Sequence, residues 1–468
     1  MKKYLGILLV SALTAFTTVA AQEEETGSAE PDSVVYATKG DVEEVKGAVE
    51  GLNESYLETK TTVDALKKLK VSGYIQAQFQ SSDKDGAKAS YSGGDFPATA
   101  HSRFMVRRGR VKFNYDNDAT QYVLQLDATE KGVGLKDAYV SVKEPWFRAV
   151  SLTAGVFDRP FGFEISYSSS SRETPERSRL FQTLFPGERD LGAKIEIGAQ
   201  DGPLSYLNLK AGLFSGNGIA SETDNHKDFI GRLGFTIPLD QINLAIDGGV
   251  SAYIGKVKLD MPSSATSTVL IDSLVDGKLK YKSVTTTTTP KAYNLDKANP
   301  AAETGKDYER TYIGGDLQFY YDLPVLGGFS LRGEYIQGKQ PGTASSSSAY
   351  KAGSGDLYMR NFSGYYINYI QNVGLNNQFV LKYDVYDPNT DVTGSEIGQG
   401  TSKFSAADLK YSTLGLGWIF HLDANVKFLV YYDMVTNEKV SSSSPASLSA
   451  YRDDIKDNVF TFRIQYKF

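Results

Sequence analysis

The sequence predicts an all-β fold: a transmembrane antiparallel β-barrel of about 16 strands, preceded by an N-terminal periplasmic coiled-coil helix. Three observations predict it. The chain ends in "NVFTFRIQYKF", where Phe460, Phe462, Ile464, Tyr466 and Phe468 alternate with Val459, Thr461, Arg463, Gln465 and Lys467. Such a period of two gives a strand with one apolar and one wet face. Runs of similar period and length recur from Val71 onward, close to the roughly 9–11 residues of a membrane-crossing β-strand. The connections alternate between short turns and long polar loops, the sorting expected of a barrel whose turns all face the periplasm.

Composition agrees. Among 468 residues there are 30 Tyr, 24 Phe and 44 Gly, which suits many strands joined by tight turns. A mean hydropathy of −0.32 excludes a polytopic helical membrane protein. The net charge of −6 argues against a nucleic-acid partner. The absence of Cys excludes a disulfide scaffold, a Cys-based metal site and an acylated lipoprotein anchor.

Residues 1–21 read as a signal peptide. Lys2 and Lys3 supply the charge, Leu5 to Phe16 the apolar core, and Val19 and Ala21 the small residues before cleavage at Gln22. An uncleaved anchor is the alternative, but the apolar run falls short of the roughly 20 residues a helical span needs. Residues 22–40 form an acidic flexible leader. In 41–70, Asp41 and Glu44 fit a capping box. Val42, Val45, Val49, Leu52, Tyr56, Thr59, Val63 and Leu66 recur three and four apart, a heptad seam. The seam is narrow and its surroundings charged, which favours an oligomeric coiled coil over a helix packed on its own domain. A homotrimer is compatible with its β-branched positions.

The barrel spans 71–468. Its turns are "DNDA", "EPWF", "QDGP", "PLDQ", "LPVLGG", "VGLNN" and "HLDA"; its long connections are 81–100, 157–189, 257–308, 338–356, 387–409 and 436–455, several of low complexity ("TTTTTP", "SSSSPASLS"). The terminal strand closes against "VSGYIQAQFQ", which removes an edge that lipid could not satisfy. Its apolar face, Phe462 included, touches lipid, with Tyr466 and Phe468 in an aromatic belt at the interface. They also resemble the C-terminal signal read by the outer-membrane barrel assembly machinery.

Alternation sorts the wall charges. In "RFMVRRGRVKFNY" it places Met105, Val111, Phe113 and Tyr115 outward and Arg108, Arg110 and Lys112 inward; Arg107 falls outward, an awkward place in lipid. Lys194, Lys210, Arg232, Arg332, Lys382 and Arg463 also read inward, with Asp127, Asp137, Glu196, Asp247, Glu334, Asp384 and Asp457. The connection 157–189 is too apolar to be solvated. Phe157, Phe161, Phe163, Phe181, Leu184 and Phe185 need a surface, while Arg159, Arg172, Arg177, Arg179 and Arg189 are interspersed with acids. A loop folded into the lumen satisfies both. Arg177 and Arg179 are then expected across from Arg108 and Arg110, and such a cluster would favour anions unless its members are paired.

The runs "RRGRVKFNY", "LKDAYVSV", "AGVFDRPFGFEIS" and "PERSRLFQTLFPGERDLGAKIEIG" resemble the phosphate-selective porin O and P family. The resemblance covers 71–468 and is closest over 101–200. It implies a sixteen-stranded trimeric porin with an inward third loop and a basic ladder. The matching positions here are Arg107, Arg108 and Arg110 and the cations of the inward loop; the acids within that loop depart from a strongly basic funnel. The expectation is an outer-membrane porin passing small hydrophilic or anionic solutes, with no cofactor. Enzymatic readings have little support: His101, His226 and His421 are isolated, and no paired metal-ligand motif occurs. A structural connector acting through the coiled coil is the alternative, although no peptidoglycan-binding module is recognisable before residue 41.

Overall fold

The computed structural model describes residues 38–199, 201–259, 263–275, 278–288, 290–294, 299–301, 306–351, 354–399 and 403–468. The signal peptide and the acidic leader up to residue 37 lie outside the described residues.

The helical unit is α1, Lys39–Lys67. Its cap differs from the expected Asp41–Glu44 box. Thr38 Oγ1 accepts from the Asp41 amide at 3.3 Å, and Asp41 Oδ2 accepts from the Thr38 amide at 2.8 Å. The box therefore starts three residues earlier, where Thr can serve as N-cap and Asp as the reciprocal acceptor. The helix also ends before residue 70. The seam is open: Val45 and Leu52 are 63% and 72% exposed.

The second unit is the barrel. Its strands are β1 Leu69–Ser82, β2 Ser102–Asn117, β3 Thr120–Thr129, β4 Gly132–Lys143, β5 Val150–Asp158, β6 Arg189–Ile197, β7 Leu207–Phe214 and β8 Asp228–Leu239. They continue as β9 Leu244–Lys258, β10 Asp307–Leu323, β11 Gly327–Gly342, β12 Leu357–Val373, β13 Asn377–Asp387, β14 Tyr411–His421, β15 Val426–Asn437 and β16 Val459–Lys467. Each pairs antiparallel with its neighbours, and β16 pairs with β1, so the sixteen-stranded sheet closes. The connection between β9 and β10 is more ordered than its low-complexity sequence suggested. It carries a hairpin, Ser263–Val275 with Lys278–Thr288, and Ala292–Asn294 pairs parallel to β12.

Closure is completed at one end of the wall. The Gly73 amide donates to the Phe468 carbonyl at 3.1 Å, and the Phe468 amide donates back to Gly73 at 3.0 Å. A Cβ on residue 73 would lie 2.6 Å from Phe468 Cζ, so glycine makes room for the last ring. On β16, Phe462, Ile464 and Tyr466 face outward while Thr461, Arg463 and Gln465 are buried inward. Phe428 stacks with Phe420 and Phe462, each at 6.4 Å, and Tyr115 and Tyr122 extend the exposed aromatic set. Such rings suit the boundary between hydrocarbon and headgroups. No helix among the described residues is long and apolar enough to cross a membrane.

Two β-bulges alter the inside–outside pattern. Gln76 pairs with Arg108, but Ala77 pairs with Val106, leaving Arg107 as an extra residue. Gln125 pairs with Asp137, but Leu126 pairs with Leu135, leaving Lys136 extra. A bulge shifts the alternation by one residue on either side. Met105 therefore points inward, where Gln78 Nε2 donates to its sulfur at 3.2 Å. Arg107 also turns inward, contrary to strict alternation.

Candidate functional site: the inward loop and the lumen wall

Residues 159–188 leave β5, cross the lumen and return to β6. Their apolar side chains fix one face. Phe161, Ile165, Leu180, Phe181, Leu184 and Phe185 are buried against Phe214, Ile230, Tyr253, Tyr312, Ile336, Tyr366 and Tyr386, one from each of β7 to β13. The short helix α2, Arg179–Leu184, carries three of the six. Ring centroids lie 5.1 Å apart for Phe161 and Phe185 and 5.7 Å for Phe185 and Tyr312, within the range of favourable aromatic pairing. The turn into this face needs Gly162: its φ is 61°, and a Cβ there would lie 2.2 Å from Glu334 Oε2. Glu334 caps the turn by accepting from the Phe163 amide at 2.9 Å, and Tyr366 Oη donates to the same carboxylate at 2.6 Å.

The opposite face is polar. Glu176 lies among four guanidiniums. Arg107 Nε reaches Oε1 at 2.7 Å and Arg108 Nη2 reaches Oε2 at 2.6 Å. Arg463 Nη2 is 3.2 Å from Oε1, and Arg172 Nη2 is 3.9 Å from Oε2. Burial alone would raise the Glu176 carboxyl, but Arg107, Arg108, Arg463 and Arg172 outweigh it and hold the acid well below the usual carboxylate range. Beside this cluster, Arg110 bonds Asp127 at 3.0 Å and Ser169 Oγ at 3.0 Å. Lys427 Nζ donates to the Ser170 and Arg172 carbonyls at 2.9 and 3.1 Å. The second bulged cation, Lys136, donates to the Gly187 carbonyl at 3.0 Å and to Glu188 at 2.8 Å. Both bulges thus re-aim a cation at an acid of the loop. For Glu188, too, burial is outweighed by cations, here Arg177, Lys136 and Arg189, and the acid is held low.

The expected facing pair is not formed. Arg177 donates to the carbonyls of Glu164, Ile165 and Tyr167 at 2.7–3.0 Å and pairs with Glu188, so it braces the loop from within. The Arg179 guanidinium lies 4.5 Å from the Tyr91 ring and 4.1 Å from the Tyr411 ring. Arg159 pairs with Asp190, Arg189 with Asp137 and Arg232 with Asp316, at 2.9, 2.8 and 2.6 Å. Arg108 and Arg110 are 3% and 7% exposed; they are wall partners of the loop, not an open basic track. Residues the sequence passed over are Lys136 and the glutamines Gln76 and Gln78. These two glutamines bond Arg108 and Arg463 at 3.0 and 2.8 Å.

Open space remains in three places, one along β3–β7, one reaching β9 and β10 and one beside β9–β13. A polar hollow of about 430 Å³ is lined by Tyr139, Ser141, Thr153, Asp158, Lys194 and Glu196. A pocket of about 270 Å³ lies beside Lys136, Arg159, Arg189 and Arg310, and one of about 540 Å³ beside Glu173, Tyr320 and Arg332. Lys194 and Lys210 share one carboxylate, Glu196, at 3.7 and 3.5 Å. Lys112 is half-buried, on the same strand face as Arg110. His101 and His226 pair with Asp85 and Asp307, and His421 contacts Gln378. Among the described residues no His, Cys, Asp and Glu cluster could hold a metal ion.

Comparison with known proteins follows the same line. The family model of phosphate-selective porin O and P matches residues 92–261. OprB of Pseudomonas putida superimposes with a TM-score of 0.53 at 10% identity, covering 87% of this chain and 96% of its own. The trimer form of OmpT of Vibrio cholerae gives 0.47 at 12% identity, covering 86% and 99%. An anion-selective porin from Comamonas acidovorans gives 0.47 at 14% identity, also covering 86% and 99%. No curated protein matches the chain. At such identity the OprB likeness establishes fold alone. The chain therefore has a porin-type β-barrel fold, and its residues 92–261 match the family model of phosphate-selective porin O and P.

Proposed function

We propose that the chain is a homotrimeric porin for passive diffusion of small hydrophilic solutes, with a modest preference for anions. One observation carries this reading. The inward loop is sealed to β7–β13 by apolar packing and to β15, β16, β1 and β2 by polar contacts, while polar space stays open along β3–β7. Solute passes there, beside Lys112, Lys194 and Lys210. Around the hollow Lys143, Arg148 and Lys194 outnumber Asp158 and Glu196, and Lys210 also reaches Glu196; this cationic surplus lowers the barrier for anions. No bond is made or broken.

Planar-bilayer conductance in potassium chloride, with the reversal potential under a salt gradient, tests the reading. Discrete channels with a weak anion preference are expected; a folded barrel without defined channels would overturn it. Such a barrel would instead fit a structural connector, a reading favoured by the open seam of α1. The same seam supports the trimer. Val45→Asp with Leu52→Asp would put charges into it, and crosslinking is expected to show fewer oligomers while each barrel still conducts. Unchanged oligomers would move the clamp to the barrel wall.

The terminal belt also has a proposed role in assembly. Removing Phe468 deletes the last pair of main-chain bonds to β1 and the ring over Gly73. The expected result is normal secretion with less folded, heat-modifiable barrel. Normal amounts of folded barrel would count against that role.

A further inference from the structure

Resting on the porin reading, we propose that Glu176 determines specificity: its carboxylate fills an oxyanion seat that four arginines would otherwise offer to a permeating anion. The seat is assembled from separate parts of the chain. Arg107 and Arg108 come from β2, Arg463 from β16 and Arg172 from the loop. Arg107 uses two donors on the two carboxylate oxygens, at 2.7 and 2.9 Å, and Arg108 adds two more at 3.4 and 2.6 Å. Such forked donors match the oxygen spacing of carboxylate and phosphate alike.

The charge is out of balance. One carboxylate faces four guanidiniums, and their other partners are neutral: Gln76, Gln78 and the carbonyls of Thr174 and Pro175. Arg172 Nη1 is buried and has no hydrogen-bond partner, while the Arg172 side chain is 2% exposed. A buried donor left unmade is costly, and uncompensated buried cations are costlier still. The seat therefore has capacity for more negative charge than Glu176 supplies. Arg107 is its open edge, with 27% of the side chain exposed, whereas Arg108 and Arg463 are closed in. Arg107 takes this position because it is the bulged residue. An anion arriving from the lumen meets Arg107 first and finds the seat already taken by the loop's own acid.

The prediction concerns E176Q, which keeps the shape and removes the charge, and E176A, which empties the seat. In planar bilayers, inorganic phosphate is expected to block chloride current through E176Q at concentrations on the order of tenfold lower than through the native protein. The reversal potential is expected to move toward anions. In detergent, phosphate at fixed ionic strength is expected to raise the unfolding temperature of E176A and leave the native protein unmoved. If E176A does not refold in chloride, refolding in phosphate supports the seat, and refolding in neither overturns it. Equal phosphate block in E176Q and native channels, with no effect of phosphate on E176A unfolding, would reduce the arginines to a packed cluster. A native protein that forms no channels would overturn the porin reading instead, and the unfolding measurement would still decide the seat.

Discussion

The two faces of the inward loop are held by different forces. Toward β7–β13 six apolar side chains disappear into a continuous aromatic and aliphatic cluster. Toward β1, β2, β15 and β16, contact is made through ion pairs and hydrogen bonds that end on loop carboxylates, hydroxyls and carbonyls. Apolar burial is non-directional and decides that the loop lies in the lumen at all. The polar contacts are directional and decide where along the wall it stops. The loop therefore has one face held mainly by apolar packing, which ionic screening touches little, and one whose fine position depends on charge.

Breaking the apolar face should have the largest effect. Phe185→Ala removes a fully buried ring and should cost about 3–5 kcal/mol. With the loop loosened, single-channel conductance should rise and become noisier. A Phe185→Ala channel of native conductance would show that the polar face suffices alone.

Glu188→Gln attacks a further charged attachment, to β4 and β6. It removes the acid shared by Lys136, Arg177 and Arg189. The expected cost is about 1–3 kcal/mol, seen as a lower unfolding temperature. Ion preference should also move toward anions, because a cluster of three cations loses one negative charge. The Phe185→Ala effect should persist in high salt; the anion shift in Glu188→Gln should shrink.

Acid sharpens the contrast. Glu176 and Glu188 are both held well below the usual carboxylate range. A carboxylate with a depressed folded pKa contributes stability that is fully present above its unfolded value, roughly 4.3 for Glu. That contribution is lost only as pH falls through the lower folded value. Conductance should therefore not change through titration of these two acids between pH 7 and about 4.3. Loosening in stronger acid should appear in E176Q and Glu188→Gln only to the extent that the remaining acid is titrated.

The smallest effect is expected where the wall is open. Lys194→Ser with Lys210→Ser should shift the reversal potential toward cations. The shift should fade between 0.1 M and 1 M salt, where the screening length drops from roughly 10 to 3 Å. Arg108→Ser with Arg110→Ser should act mainly on stability, because both side chains are buried and paired. A larger selectivity change in the arginine pair than in the lysine pair would mean that the polar face, and not β3–β7, sets the ion preference.

Much of the barrel was legible because its outer wall repeats every second residue. β16 could be read side chain by side chain. β5 and β6 could be counted from the turns around them, but their short runs, "SLTAGVF" and "AKIEI", gave little contrast. The inward loop announced itself through phenylalanines that no solvated loop could keep. The bulges did not, since a bulge is a mismatch in count between two strands and neither strand alone records it. That is why Arg107 and Met105 read on the wrong face and Lys136 drew no notice. Ion pairing was equally hidden: the partner of Arg108 lies 68 residues away, and alternation fixes a direction, not a neighbour.

The bonds between Gly73 and Phe468 join the first and last strands of the wall. Every other wall contact can form between consecutive strands as they become available. This one waits for the last strand of the wall. Until then β1 keeps an unsatisfied edge, which membrane lipid cannot solvate. A barrel that lacks even one strand cannot hide that edge, so the seam between β1 and β16, with the ring of Phe468 over Gly73, decides whether the wall is sealed.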